Sequence, residues 1–180
     1  MVNLKGSKTE ENLKFAFAGE SQAHTKYQYY ASQAKKDGYV QIKEIFEETA
    51  RNEKEHAKLW FKYLHDDGVP STPENLQDAI DGEHHEWSEM YLEFAEVARE
   101  EGFDEIADRL ECVGKIEKEH EGRYQKLLNN IKDDSVFVKD EEIEWKCGNC
   151  GYIHKGAEAP EECPACAHPK SYFEIRAQNY

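Results

Sequence analysis

Two stretches decide the fold: Asn52-Glu53-Lys54-Glu55-His56-Ala57 and Ile116-Glu117-Lys118-Glu119-His120-Glu121. In each, a glutamate precedes a histidine by three residues. On a helix, that step stands carboxylate and imidazole on one face, a turn apart. Each pair also falls on a stripe that is otherwise mostly apolar. Reading every third or fourth residue gives Ile42, Phe46, Thr49, Glu53, His56, Trp60 and Tyr63 on one helix. On the other it gives Ile106, Leu110, Val113, Glu117, His120, Tyr124, Leu127 and Ile131. A lone Glu-x-x-His arises by chance on exposed helices. Two of them, both on core stripes, read as ligands.

Working outward, two more helices carry glutamates where a core residue is expected. The first has the stripe Leu13, Phe17, Glu20, His24, Tyr27, Ala31, Ala34; the third shows Glu83 and Glu86, then Met90, Phe94 and Val97. Burying an unpaired carboxylate costs several kcal/mol or forces it to take up a proton. Five glutamates, joined by His56 and His120, therefore predict bound cations, and two divalent ions against five carboxylates leave a net charge of only −1. One glutamate from each of two helices, with Glu-x-x-His from each of the other two, is the ligand pattern of ferritin-like di-metal carboxylate bundles. Glu20 and Glu53 are 33 residues apart, Glu83 and Glu117 34, so the two halves look like an internal repeat.

Start and stop signals frame these helices. Ser7 followed by Glu10 is a capping-box start, and Asp37-Gly38 is a stop with glycine available for the left-handed cap. The second helix is expected from about Val40 to His65, closed by Asp67-Gly68-Val69-Pro70. Thr72-Pro73 is expected to supply an N-cap and a first-turn proline for a short helical piece leading into the third helix. Gly102 separates the third helix from the fourth, which runs to about Lys132. The short 37–40 and 101–103 connections predict two antiparallel hairpins, whereas the connection between them, about 66–82, is expected to be long. It would either cross the bundle or permit exchange of a helix pair between two chains. The expected fold is an all-α four-helix bundle, ferritin-like, of left-handed antiparallel hairpins (residues 1–134). A linker (135–144) would follow, then a small β/knuckle domain (145–180).

That last segment contains Cys147-Gly148-Asn149-Cys150-Gly151-Tyr152 and Cys163-Pro164-Ala165-Cys166. Two C-x-x-C knuckles form a tetrahedral four-thiolate site, without which so small a tail has little core to fold around. Trp145, Tyr152 and Phe173 are expected to pack around it. Four thiolates bind zinc at least as readily as ferrous iron, so the ligands alone leave both open. The fifth cysteine, Cys112, precedes a core valine and is expected to be a small inert core residue. The formal charge of −15 argues against nucleic-acid or anionic-membrane partners. No apolar run is long enough to span a membrane, and Met1 to Gly6 lacks the apolar stretch of an export signal, so a cytoplasmic address is expected.

The chain resembles the rubrerythrins along essentially its whole length. The resemblance is carried by Ala18-Gly19-Glu20-Ser21-Gln22, Glu53-Lys54-Glu55-His56-Ala57, Gly82-Glu83-His84-His85-Glu86-Trp87, Glu117-Lys118-Glu119-His120 and the two knuckles, which look like those of rubredoxin. Ala167 departs from free-standing rubredoxins, where glycine follows the second knuckle. The resemblance implies a peroxidase that reduces hydrogen peroxide to water in oxidative-stress defence. It implies three iron ions per chain, with zinc or another metal able to substitute. Glu20, Glu53, His56, Glu83, Glu86, Glu117 and His120 would hold an iron pair, and Cys147, Cys150, Cys163 and Cys166 a mononuclear iron that feeds it electrons. Glu53 and Glu117 would bridge, Glu20 and Glu83 would be terminal, and His56 and Glu86 would exchange with redox state. Tyr27 and Tyr91 would hydrogen-bond the ligating carboxylates. The implied partners are an NAD(P)H-linked reductase or rubredoxin as donor and a second copy in a homodimer, with helix exchange left open.

Two rival readings are a ferritin-class iron oxidase or storage protein, and a bundle carrying a structural zinc ribbon for partner binding. Neither uses both a seventh ligand and an electron-feeding tail. His24 is expected to be packed near the site rather than a ligand, His84 and His85 to point away from it, and His154 and His168 to have no role.

Overall fold

The computed structural model describes residues 3–179. Met1 and Val2, part of the opening stretch read for an export signal, and Tyr180, at the end of the expected tail domain, lie outside them. The chain divides between Pro70 and Ser71 into two compact units. The first holds helices α1 (Lys8–Lys36) and α2 (Val40–Leu64). The second holds α3 (Thr72–His85), a π-helical turn (Glu86–Met90), α4 (Tyr91–Glu100) and α5 (Asp104–Lys132). It ends in strands β1 (Val138–Cys147), β2 (Ile153–Glu158) and β3 (Phe173–Ile175). Since α3, the π turn and α4 follow one another without a break, the architecture is four long helices and a small three-stranded sheet.

Helix ends follow local chemistry. Ser7 Oγ accepts the Glu10 N–H at 3.1 Å, satisfying a donor at the start of α1 that has no partner within the helix. Gly38 (φ +86°) closes α1: its N–H reaches Lys35 O, and that of Tyr39 reaches Ala34 O. Gly102 (φ +84°) repeats the pattern after α4 through Arg99 O and Ala98 O. Both are Schellman closures, which need a left-handed residue. They turn each helix pair back on itself, as the short connections predict.

Two expectations need correcting between the units. The N-cap of α3 is Ser71, not Thr72, and Glu74 accepts the Ser71 N–H at 2.8 Å. The connection expected over 66–82 is helical from Thr72 onward, leaving only residues 65–71. The capping pair Ser71/Glu74, with Pro73 in the first turn, starts the helical piece expected there, which runs on into the third long helix without a separating loop.

In the first unit α1 and α2 meet through small residues, Ala31, Ala34, Ala50 and Ala57, which let the backbones approach. Phe17 packs on Phe61, and Tyr27 and Tyr30 pack on Phe46. In the second unit Ala95, Ala98 and Ala107 form the buried contact of α4 with α5, and Arg99 binds Asp108 (2.9 Å) and Glu111 (2.6 Å) across it. Gly114 of α5 is buried against Tyr91, where an added Cβ would lie 3.2 Å from the tyrosine Cβ. Gly114→Val is expected to lower stability by about 1–3 kcal/mol through overpacking, despite losing an unfavourable helical glycine. Chemical denaturation measures this; an unchanged midpoint would show that α5 shifts freely away from Tyr91.

The sheet has the order β2-β1-β3, both neighbours antiparallel to β1. Strand β1 begins at Val138, inside the stretch expected to be a linker, because Ile143 and Phe137 pack against the tail's core. That core is Trp145, Cys147, Ala159, Cys163 and Phe173, with Tyr152 against it, so the three expected aromatics do surround the knuckles. Trp145 is fully buried and its Nε1–H donates to Gly156 O at 3.0 Å.

Candidate metal centres

The i,i+3 step performs as expected in both units. On α2, His56 Nδ1 lies 2.9 Å from Glu53 Oε2 and 3.9 Å from Glu20 Oε1 on the neighbouring helix. On α5, His120 Nδ1 lies 2.7 Å from Glu117 Oε2 and 3.5 Å from Glu83 Oε2 of α3. Each trio keeps its candidate ligand atoms within 4.8 Å of one another, a spacing that could hold a metal ion. The two trios are alike, as the sequence repeat requires.

The electrostatics of the second trio call for a cation. Burial pushes the Glu83 carboxyl above the usual carboxylate range; His120 opposes this, while the charges of Glu117 and Glu86 raise it further. A carboxylate that takes up a proton for want of a partner stands where a cation would relieve it. Tyr91 is raised as well, by burial first and then by Glu86, Glu117 and Glu83. The effect places Tyr91 within electrostatic reach of these three carboxylates. Tyr27 lies in the aromatic group with Tyr30 and Phe46, both ring centroids 6.0 Å away.

Burial does not match the sequence reading. The ligand stripes were expected to be core, yet Glu53 and Glu117 side chains are 16% and 13% exposed and His56 is half exposed. Ile42, Tyr63, Phe94, Val97, Ile106 and Leu127, all on those stripes, are also about half exposed. Two antiparallel helices can wall a site from one side only. Cys112 is exposed too, not a core residue, since a helical neighbour of the half-buried Val113 projects about 100° away from it.

The π-helical turn at Glu86–Met90 was missed, though its trace is in the sequence. Glu20 and Gly38 are 18 residues apart, whereas Glu83 and Gly102 are 19 apart; Gly38–Glu53 and Gly102–Glu117 are both 15. The second half thus carries one extra residue in its first helix, where the π turn absorbs it by bonding Tyr91 N–H to Glu86 O. Glu86 opens this turn, at the position where the first half has Ala23. The seventh candidate ligand and the extra residue mark the same asymmetry between the halves.

Nearby histidines fall out as expected. His24 Nδ1 donates to Ala50 O at 2.7 Å, and Gln28 Nε2 donates to His24 Nε2 at 3.2 Å, so both ring nitrogens are occupied and α1 is tied to α2. His84 faces Glu121 (3.1 Å), which also accepts the Trp87 indole N–H. His85 pairs with Glu89.

In the tail, Cys147 and Cys166 sulfurs are 3.8 Å apart, Cys150 and Cys163 3.6 Å. A tetrahedron with metal–sulfur bonds of ~2.3 Å has edges of ~3.8 Å, so the spacing is that of a metal cage and not of disulfides. The thiols share their protons unequally. The His168 backbone N–H, outweighing burial, lowers Cys166 to about 6. Cys150 is raised to about 12: the Tyr152 backbone N–H lowers it, but the Cys166, Cys163 and Cys147 thiols and burial together outweigh that. Four thiolates coexist here only around a cation. His168, given no role from sequence, shapes the second knuckle through this N–H and packs its ring on Tyr172. Gly151 N–H bonds Cys147 O and Ala167 N–H bonds Cys163 O, both at 2.8 Å. Ala167 therefore takes the glycine's place with φ +54°, a left-handed conformation costing roughly 1–2 kcal/mol for a residue with a Cβ.

These donors fit iron: the Glu/His groups a di-iron carboxylate site, the cysteines a mononuclear Fe(Cys)4 centre. Among the described residues no helix is long and apolar enough to cross a membrane. Residues 11–128 match the family model "Rubrerythrin", and residues 145–174 match that of the rubrerythrin rubredoxin-like domain. The chain is 51% identical to a rubrerythrin of Clostridium perfringens and 48% identical to one of Nitratidesulfovibrio vulgaris, in each case over the full length of both chains. It is 50% identical to a rubrerythrin of Porphyromonas gingivalis, over 99% of this chain and 94% of the relative. With both helical trios and the four-thiolate cage in place, the chain belongs to the rubrerythrin family.

Proposed function

We propose that the protein is a peroxidase that reduces hydrogen peroxide to two waters, taking up two electrons and two protons. The observation that carries the proposal is the presence in one chain of two matching Glu/Glu/His trios and a four-thiolate cage. The cage would hold one iron, the trios with Glu86 a pair. When bound, the pair supplies Lewis acidity and one electron per metal, so that O–O cleavage needs no released radical.

The chain's own residues supply the rest. Glu20, Glu53, Glu83, Glu86 and Glu117 would hold the pair, five carboxylates that more than offset the four positive charges of two ferrous ions and leave a net charge of −1. His56 and His120, each fixed by its i,i+3 glutamate, present imidazole from one turn away. Tyr91, raised above the ordinary tyrosine range, keeps its hydroxyl proton and can donate a hydrogen bond toward the carboxylates. The tail's apolar shell covers the Cys147 and Cys163 side of the cage and leaves Cys150 exposed, a one-sided shielding that would tune the potential of iron held there. An NAD(P)H-linked reductase in the cytoplasm would be the ultimate donor, and a homodimer the working unit.

Anaerobically purified protein should contain three irons per chain and show ferric-thiolate bands in the visible. Given a reduced protein donor, it should consume peroxide and donor electrons in a 1:2 ratio. Iron taken up into a mineral without donor consumption would establish the storage reading instead. A colourless tail carrying zinc would remove the electron-feeding role.

A further inference from the structure

We infer that the seam between α1 and α2, on the side turned away from Glu53 and His56, is a docking groove for an acidic helix of another protein. The first support is how the charge is divided. Residues 1–70 carry 11 Lys and Arg against 11 Asp and Glu, whereas residues 71–180 carry 12 against 27. The whole formal charge of −15 therefore belongs to the second unit, and the first is neutral.

Within the first unit the cations gather on one side. Two open cavities of about 470 and 450 Å³ run along the seam and share His24. Their walls hold five cations, Lys35 of α1 and Lys43, Arg51, Lys54 and Lys58 of α2, against one carboxylate, Glu47. Glu47 pairs with Lys43 at 2.7 Å, and Lys58 lies 3.6 Å from Glu55. Lys35, Arg51 and Lys54 have no ion pair among the described residues. Successive helical residues project about 100° apart, so Lys54 is turned well away from Glu53 and the metal side. In physiological salt the Debye length is ~8 Å, so a partner at the groove meets these cations and not the average charge of the chain.

The groove has the shape of a helix site. Buried Ala31, Ala50 and Ala57 lie along its bottom and Phe17 and Phe61 at one end, so a helix can approach closely and bury an apolar face. From Lys43 to Lys58 is ~22 Å, about four helical turns. Arg51, Lys54 and Lys58 follow at steps of three and four residues, the steps at which glutamates recur on one face of a partner helix.

The second unit has the same frame but fills the corresponding seam itself. Trp87 stands where the repeat places His24, and Glu121 where it places Ala57. The Trp87 indole N–H bonds Glu121, and Lys118, the counterpart of Lys54, lies 4.7 Å from the centre of the Trp87 ring. An open cationic seam is thus a property of the first half's side chains and not of a helical hairpin as such.

The probe for a test is a fluorescein-labelled peptide of about 15 residues, enough to span the groove and stapled to hold so short a helix. It carries leucine and alanine on one face and glutamates at three- and four-residue steps beside them. Titrated with full-length, iron-loaded protein at low salt, its anisotropy should saturate at one peptide per chain. Lys35→Glu/Arg51→Glu should weaken binding ~10-fold or more, with iron content and peroxide reduction unchanged. Absence of binding, or equal binding by the double variant, overturns the inference. So does equal binding of a peptide with glutamine in place of glutamate, since apolar contact alone would then suffice. Equal competition by inorganic polyphosphate at matched charge would make the seam a general anion patch, against the inference. Salt-sensitive self-association of the wild type, abolished in the double variant, would overturn it by assigning the groove to a second copy.

Discussion

Glu117→Ala is expected to remove the helical iron pair and with it peroxide reduction. Glu117 holds His120 at 2.7 Å, and His120 in turn lies 3.5 Å from Glu83, so one substitution disturbs the whole trio. Loss of even a supporting partner costs a metal site ~10- to 100-fold, and Glu117 is a candidate bridging ligand. Iron per chain should drop from three to one, with peroxide reduction down more than ~100-fold and the visible thiolate bands retained. Full helical iron content in this variant would refute the assignment.

The metal-free protein should behave in the opposite sense at this spot. Glu83 has a folded pKa raised above its unfolded value, so its ionised form is disfavoured in the folded state. Its contribution is neutral below the unfolded pKa and becomes destabilising as pH rises through the folded one. Glu83→Gln should therefore raise the melting temperature of metal-free protein at neutral pH more than at pH 4, while abolishing the gain that ferrous iron gives the wild type.

Cys163→Ser carries the second large effect. Cys163 is buried, its sulfur 3.6 Å from that of Cys150, and it belongs to the tail's only buried cluster among the described residues that includes Trp145 and Phe173. So small a core depends on its metal, and structural sites of this kind contribute roughly 10–16 kcal/mol of apparent binding energy to folding. The variant should lose the visible bands and one of three irons, and the segment beyond about residue 135 should become sensitive to protease. Peroxide reduction driven by a reductase should fall to background but persist with a small-molecule reductant that reaches the helical site directly. An undiminished reductase-driven rate would show that electrons do not pass through the tail.

The sequence by itself determined the candidate ligands and the local frame that presents them. Glu53/His56 and Glu117/His120 needed only the helical period, and the knuckles only their C-x-x-C spacing. The Gly38 and Gly102 closures needed only a residue free to turn left-handed. All depend on neighbours within four or five residues, where periodicity is informative. Tertiary structure decided what depends on distant packing. Whether Ile106 and Phe94 are covered, and whether Cys112 points outward, turns on which elements reach those faces. The helical piece opened at Thr72 runs unbroken into the third long helix, and the π turn re-phased Tyr91 and the rest of α4 relative to Glu83 and Glu86. A stripe of apolar residues specifies that something must cover it, but periodicity along one helix does not say which element does, because that depends on packing between residues far apart in sequence.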